Sequence, residues 1–191
     1  MPELPLAGSR LFLEEWLPQF LAINYYKGLP MVQGVIIMDT MMEFNTSEKS
    51  QIIPTSLFSQ FFPDAFRNIN ADNLRGDFLN LIYRKPTNDS NVARAFNTSW
   101  KAAGRSRFQL ELFPLPIDPF QNNKSLDPTT EGLVDNFLRS DHGNFWWKGY
   151  PAIWLTDSAN FRGDMIQCYH HMCDNLEVML TEDNINFLGK T

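Results

Sequence analysis

Apolar residues recur at helical spacing through Leu13, Trp16, Leu17, Phe20 and Leu21, with Ser9 ahead of them as a capping residue. Pro18 falls inside that stretch and predicts a kink or a division. The next run, Met31 to Met38, is apolar on both faces and bounded by Gly28-Leu29-Pro30, which predicts a buried central strand ending at Asp39. Helical patterns follow near 55–62, 71–83 and 89–103, punctuated by Pro63, Pro86 and Gly104. Phe108 to Phe113 alternates apolar with polar residues and then meets Pro114, Pro116 and Pro119, which reads as a strand and a loop. A short helix is expected near 130–139, with Thr130 as its cap. Pro151 to Leu155 reads as a second buried strand running into Thr156-Asp157, and Thr181 to Leu188 as the start of a last helix. Helices alternating with apolar strands predict an α/β chain in a three-layer α/β/α sandwich.

Length and composition narrow the possibilities. The 191 residues suit one sizeable domain, and 43% hydrophobic residues with sixteen Phe and five Trp are a core-forming composition. A net charge of −6 argues against the clustered Lys and Arg of a nucleic-acid surface. No stretch approaches the ~18 apolar residues of a membrane span. MPELPLAGSR lacks the basic and apolar regions of a secretory leader, so the sequence as written reads as cytoplasmic. Sequons at Asn45, Asn88, Asn97 and Asn123 would instead suit a secreted parent.

All three histidines lie between positions 142 and 171, beside acidic or sulfur residues: Ser140-Asp141-His142 and Cys168-Tyr169-His170-His171-Met172-Cys173-Asp174. Imidazole and carboxylate are the usual ligands of hydrolytic zinc, although no HExxH or CxxC spacing is present, and surface or capping roles remain the plainer reading. Cys168, His170, His171 and Cys173 could alternatively form a local zinc knuckle. The two cysteines could equally form a disulfide or stay as small buried thiols. Asp39, at the C-terminal end of a buried strand, stands where open α/β sheets place their ligands, or else it initiates a loop. Glu14, Glu15 and Trp16 read as a solvated helix face with one core aromatic.

Four motifs in order, Ser140-Asp141-His142, Gly149-Tyr150-Pro151-Ala152, Thr156-Asp157 through Phe161-Arg162, and Tyr169-His170 with Asp174, resemble the end of a zinc exopeptidase domain of metallopeptidase family twenty-eight. That family includes bacterial leucyl aminopeptidases and glutaminyl cyclases. Upstream, GVIIMDTMMEFNTSEKSQ resembles its strand ending in an acidic ligand, followed by a Ser-Gln pair, and AGSRLF resembles the Gly-Ser segment after its Glu-Glu motif. The resemblance implies a mixed, mostly parallel sheet. It also implies two zinc ions sharing a carboxylate, with a Glu as general base for hydrolysis of N-terminal peptide bonds or a related acyl transfer. By resemblance, Asp39 and His170 are metal ligands and Glu3 falls on the second Glu of the Glu-Glu pair. Asp141 and His142 would shape the site without binding metal.

The departures carry equal weight. The early His and the bridging carboxylate have no counterpart, and Pro2 falls where the general base belongs. Asp39 and His170 would serve different ions, so neither ion keeps its three protein ligands and zinc is expected to be weak or absent. The sequence is therefore expected to represent the C-terminal two-thirds of a single peptidase-like domain. It would be either a part of an active aminopeptidase or a metal-free scaffold that binds a peptide ligand. A sandwich lacking its first strands would expose apolar edges, which predicts self-association.

Overall fold

The computed structural model describes residues 7–25, 31–104, 107–120 and 126–191. The first helical stretch comes in three pieces: α1 (Ala7–Leu11), a wider π turn (Phe12–Trp16) and α2 (Leu17–Tyr25). Pro18 accounts for the wide turn. It has no N–H to donate and its ring crowds the carbonyl one turn back. Ahead of it the Leu17 N–H therefore reaches to the Phe12 carbonyl, five residues earlier. Ser9 lies inside α1 and does not cap it.

The chain then forms β1 (Val35–Met38), α3 (Phe58–Phe61), α4 (Pro63–Ala71), β2 (Phe78–Arg84), α5 (Asp89–Ala102), β3 (Gln109–Leu115), α6 (Pro128–Asn136), α7 (His142–Trp147) and β4 (Ala152–Thr156). A 3-10 turn (Ala159–Phe161), α8 (Met165–Cys168), α9 (Leu176–Met179) and α10 (Glu182–Leu188) complete it. The fold is mixed α/β, with a four-stranded sheet in the order β1-β4-β2-β3. It is mostly parallel: β1 with β4 and β2 with β3 run parallel, and β2 against β4 antiparallel.

Two expectations are corrected here. The apolar run at 31–38 yields only the four-residue β1, and β1 is an edge strand of the described sheet; β4 is a central one. Its residues alternate, leaving Ile36 and Met38 half exposed while Val35 and Ile37 face the core. The helical reading of 71–83 fails more fully. Phe78, Leu79, Leu81 and Ile82 also fit a helical stripe, but the segment is β2, with apolar residues buried on both faces and therefore no strand alternation to read. Elsewhere the pattern holds in part, since α4, α7, α8 and α9 lie outside the expected helices. α5 and α10 match their predicted spans, and Thr181 Oγ1 caps α10 by accepting from the Asn184 N–H. Asp127, not Thr130, caps α6, accepting from the Thr129 and Thr130 amides. Pro114 is tolerated inside β3 because that strand is the other edge of the sheet.

Alternate residues of the central strands divide between two apolar clusters. Phe78, Ile82, Ala152 and Trp154 join Leu13, Leu17, Phe58, Phe62, Phe113, Phe137 and Trp146 on one face. Leu79, Leu81, Ile153 and Leu155 join Phe44, Trp100, Phe108 and Phe187 on the other. Because β2 is antiparallel to β4, the C-terminal ends of β1 and β4 share one end of the sheet with the start of β2. At the opposite end, Arg84 is buried in a bidentate pair with Asp89 (2.8 and 3.1 Å) and also reaches Asp118 at 3.1 Å.

Candidate functional site

The sheet end at Met38 and Thr156 gathers most of the buried polar side chains of the central loops. Leaving β1, Asp39 donates its N–H to the Leu155 carbonyl at 3.2 Å, and its exposed carboxylate accepts from the Ser140 hydroxyl at 2.7 Å. Thr40 turns the chain with a left-handed φ of 54° and accepts the Asp157 N–H at 2.7 Å. Its hydroxyl pairs with that of Thr156. The two parallel strands therefore continue into loops that are bonded to each other.

Behind these loops lies a charged clamp. Asp157 accepts from the Glu43 amide at 2.7 Å and the Ala159 amide at 2.9 Å. Burial pushes its carboxyl up to about 7, against the opposing pull of Arg162 and of those two amides. Glu43 is likewise raised, chiefly by burial. Arg162 is fully buried over the Phe78 ring and donates to Gln51 Oε1 (2.9 Å), the Glu43 carbonyl (3.1 Å) and the Phe78 carbonyl (2.7 Å). Burial pulls its pKa down to about 10. Gly76 is required beside it, since a Cβ there would stand 2.7 Å from the Arg162 side chain. The clamp ties the loop after β1, the start of β2 and the loop after β4 into one unit. Gln51 and Arg162 belong to motifs that carry the family resemblance, yet nothing in the sequence signals that they touch.

A cavity of about 60 Å³ opens beside the clamp on the sheet face that carries Trp154. Ile52, Ile53, Phe58, Phe113, Phe137 and Phe161 give it an apolar wall, and Asn80, Thr156, Ser158 and Arg139 a polar margin. Asn80 is fixed there by donating to the Thr156 carbonyl (2.7 Å) and Ser158 Oγ (2.8 Å). Such an arrangement suits an apolar side chain whose polar end stays at the rim.

The sequence-derived candidates separate. His170 is exposed, with a left-handed φ of 62°, its amide donating to Asp174 at 3.1 Å and its ring stacked on Tyr169 at 3.9 Å. Tyr169 in turn lies against the Arg139 guanidinium, 5.3 Å from its ring centre. Arg139 and Ser140 are consecutive: Ser140 bonds Asp39, and Tyr169, the neighbour of His170, lies on Arg139. Asp141 immediately precedes α7, its carbonyl accepting the Asn144 N–H at 3.1 Å, without a side-chain cap bond. His142 belongs to the core. It is fully buried between Trp154 (4.7 Å, stacked) and Trp146 (4.5 Å, edge-on), with Nε2 2.7 Å from the Phe137 carbonyl. Burial lowers its pKa to about 3, so it is neutral, and Nε2 donates while Nδ1 has no partner among the described residues. Glu3 lies outside the described residues.

Cys168 and Cys173 are joined in a disulfide, which removes the thiolates a zinc knuckle would need and overturns that reading. Among the described residues no group of three or more His, Cys, Asp or Glu side chains is placed to hold a metal. A catalytic zinc takes about three protein ligands. Asp39 and His170 are two candidates, so the described donor set does not by itself fit a zinc ion.

No family model and no solved structure matches the chain. It is similar to a protein of Escherichia coli (strain K12) described as "Uncharacterized protein YfbL", 26% identical over 156 residues. That match covers 82% of this chain and 36% of the length of the Escherichia coli protein.

Proposed function

We propose that the chain corresponds to the later part of a zinc exopeptidase-like domain, built as a three-layer α/β/α sandwich, that acts on N-terminal peptide bonds when complete. The observation that carries this reading is the sheet end itself. Of the two residues that the resemblance makes metal ligands, Asp39 accepts from Ser140, and His170 stacks on the Tyr169 that lies against Arg139, itself a lining residue of the apolar cavity. In the proposal this chain contributes those two donors and the pocket that receives an apolar side chain of the peptide. The remaining ligands and the general base come from elsewhere in the complete protein. Zinc, when held there, would supply Lewis-acid polarisation of the peptide carbonyl; the residues of this chain orient the peptide and exclude water from its side chain.

The incomplete donor set favours a second reading, a metal-free scaffold that uses the same cavity to bind a peptide. Zinc titration of the purified chain against a chelator of known affinity separates the two, with Asp39→Ala and His170→Ala as controls. Zinc bound weakly and lost in either variant supports the exopeptidase reading. No zinc above background, together with binding of a leucine-headed peptide, supports the scaffold.

A further inference from the structure

We infer that the Cys168–Cys173 disulfide is a redox-sensitive clasp on the mouth of the cavity. The inference rests on the reading of that cavity as a side-chain pocket. The disulfide closes a short ring that follows α8 and carries Tyr169, His170 and His171. Within it the His171 amide donates to the Cys168 carbonyl at 2.7 Å, and His170 holds a left-handed backbone that a non-glycine residue adopts at a cost. Beyond the sulfurs, the ring is held by local hydrogen bonds at an exposed surface, among them Asn175 Nδ2 donating to the Met172 carbonyl at 2.9 Å. His170, His171 and Met172 are exposed, Met172 at 98%, and the Asp174 carboxylate that accepts the His170 amide is exposed too.

The ring nonetheless touches a residue that lines the cavity. Tyr169 lies 5.3 Å from the Arg139 guanidinium, which also stands 5.7 Å from the Phe161 ring and donates to Asn160 Oδ1 at 2.7 Å. Arg139 and Phe161 both line the cavity. The closed ring thus holds Tyr169 against Arg139, one of the side chains that line the cavity. Both cysteines are half-buried, within reach of a small dithiol. Two electrons and two protons from that dithiol cleave the S–S bond, leaving two thiols here and a disulfide on the reagent. Opening restores conformational freedom to residues 169–172, lets His170 leave the left-handed region, and releases Tyr169 from Arg139.

The test uses the full chain, oxidised, treated with dithiothreitol, and as the Cys168→Ser/Cys173→Ser double variant. Because the chain has 2 cysteines, the reagent has one target. Amide hydrogen exchange and binding of leucinamide are measured on each form. The expected result is at least ~10-fold faster exchange at 169–174 in the reduced and double-variant forms, unchanged protection in β2 and β4, and several-fold weaker leucinamide binding. Equal exchange and equal affinity in all three forms would overturn the clasp, as would free thiols in the untreated protein. Absence of leucinamide binding to the oxidised chain would overturn the pocket reading alone, and the exchange rates would still decide the clasp.

Discussion

Two buried residues set opposing pH dependences. Asp157 holds a proton in the folded chain up to about pH 7, whereas its ordinary value is 3.8. The folded state therefore binds more protons between those limits, and this contribution to stability is lost as pH rises from about 4 to 7. His142 behaves in the opposite sense. The unfolded chain protonates it below about 6.5 and the folded chain resists until about 3, so stability falls as pH drops through that window. Each unit of pH is worth at most about 1.4 kcal/mol per group, and over roughly pH 4–6.5 the two offset each other. Glu43, Asp77 and Glu111 are raised by burial in the same sense as Asp157, so the variants are read against the parent chain's own slope of urea midpoint with pH. Asp157→Asn should unmask a steady loss toward acid, and His142→Phe a steady loss toward neutral pH. A parent slope equal to that of Asp157→Asn would remove Asp157 from this account.

At the level of elements, Asp89 joins three of them. It stands at the start of α5, pairs with Arg84 at the end of β2, and accepts the Ala152 amide of β4 at 3.0 Å. Its carboxylate is completely buried. Asp89→Ala leaves Arg84 buried with Asp118 as its remaining acidic partner, and a loss of about 3–5 kcal/mol is expected in chemical denaturation. A loss under ~1 kcal/mol would mean that water replaces the carboxylate at that end of the sheet. Arg162 at the other end is held differently, donating mainly to fixed carbonyl and amide oxygens and not to a carboxylate of the described residues.

Across the whole molecule, β1 and the first helices present clusters of exposed apolar side chains. Ile36 and Met38 are 49% and 51% exposed on an edge strand that no other described strand covers. Phe12, Trp16 and Phe20 form a stacked ladder with centroids 5.0 and 4.9 Å apart, Trp16 being 54% exposed. An edge without Lys, Pro or a bulge is a template for strand pairing. The 191-residue chain is expected to self-associate in gel filtration with light scattering, and Ile36→Lys/Met38→Lys to lower the observed mass. A parent chain that stays monomeric over a micromolar concentration series would show that this edge is adequately protected.

What was legible in the sequence was local. Asp39 at a strand end, the start of the last helix near Thr181, the span of α5 and the breaker at Pro18 each follow from spacing or from one residue's chemistry, which operate within a turn or two of the chain. β2 was not legible, because burial on both faces erases the alternation that marks a strand. The clamp was legible only as separate motifs: Gln51 and Arg162 are 111 positions apart, and only the folded loops bring them to 2.9 Å. His142, placed by its motif near the site, is drawn instead into the space between Trp146 and Trp154, where burial keeps its imidazole neutral. The sequence by itself determined the α/β class, several elements such as α5, α10 and β4, and the two donors worth testing. The tertiary structure decided which strand lies at the edge, which histidine is core and that the cysteines pair. Those outcomes depend on which distant segments compete successfully for the same partners, and local periodicity carries no information about that competition.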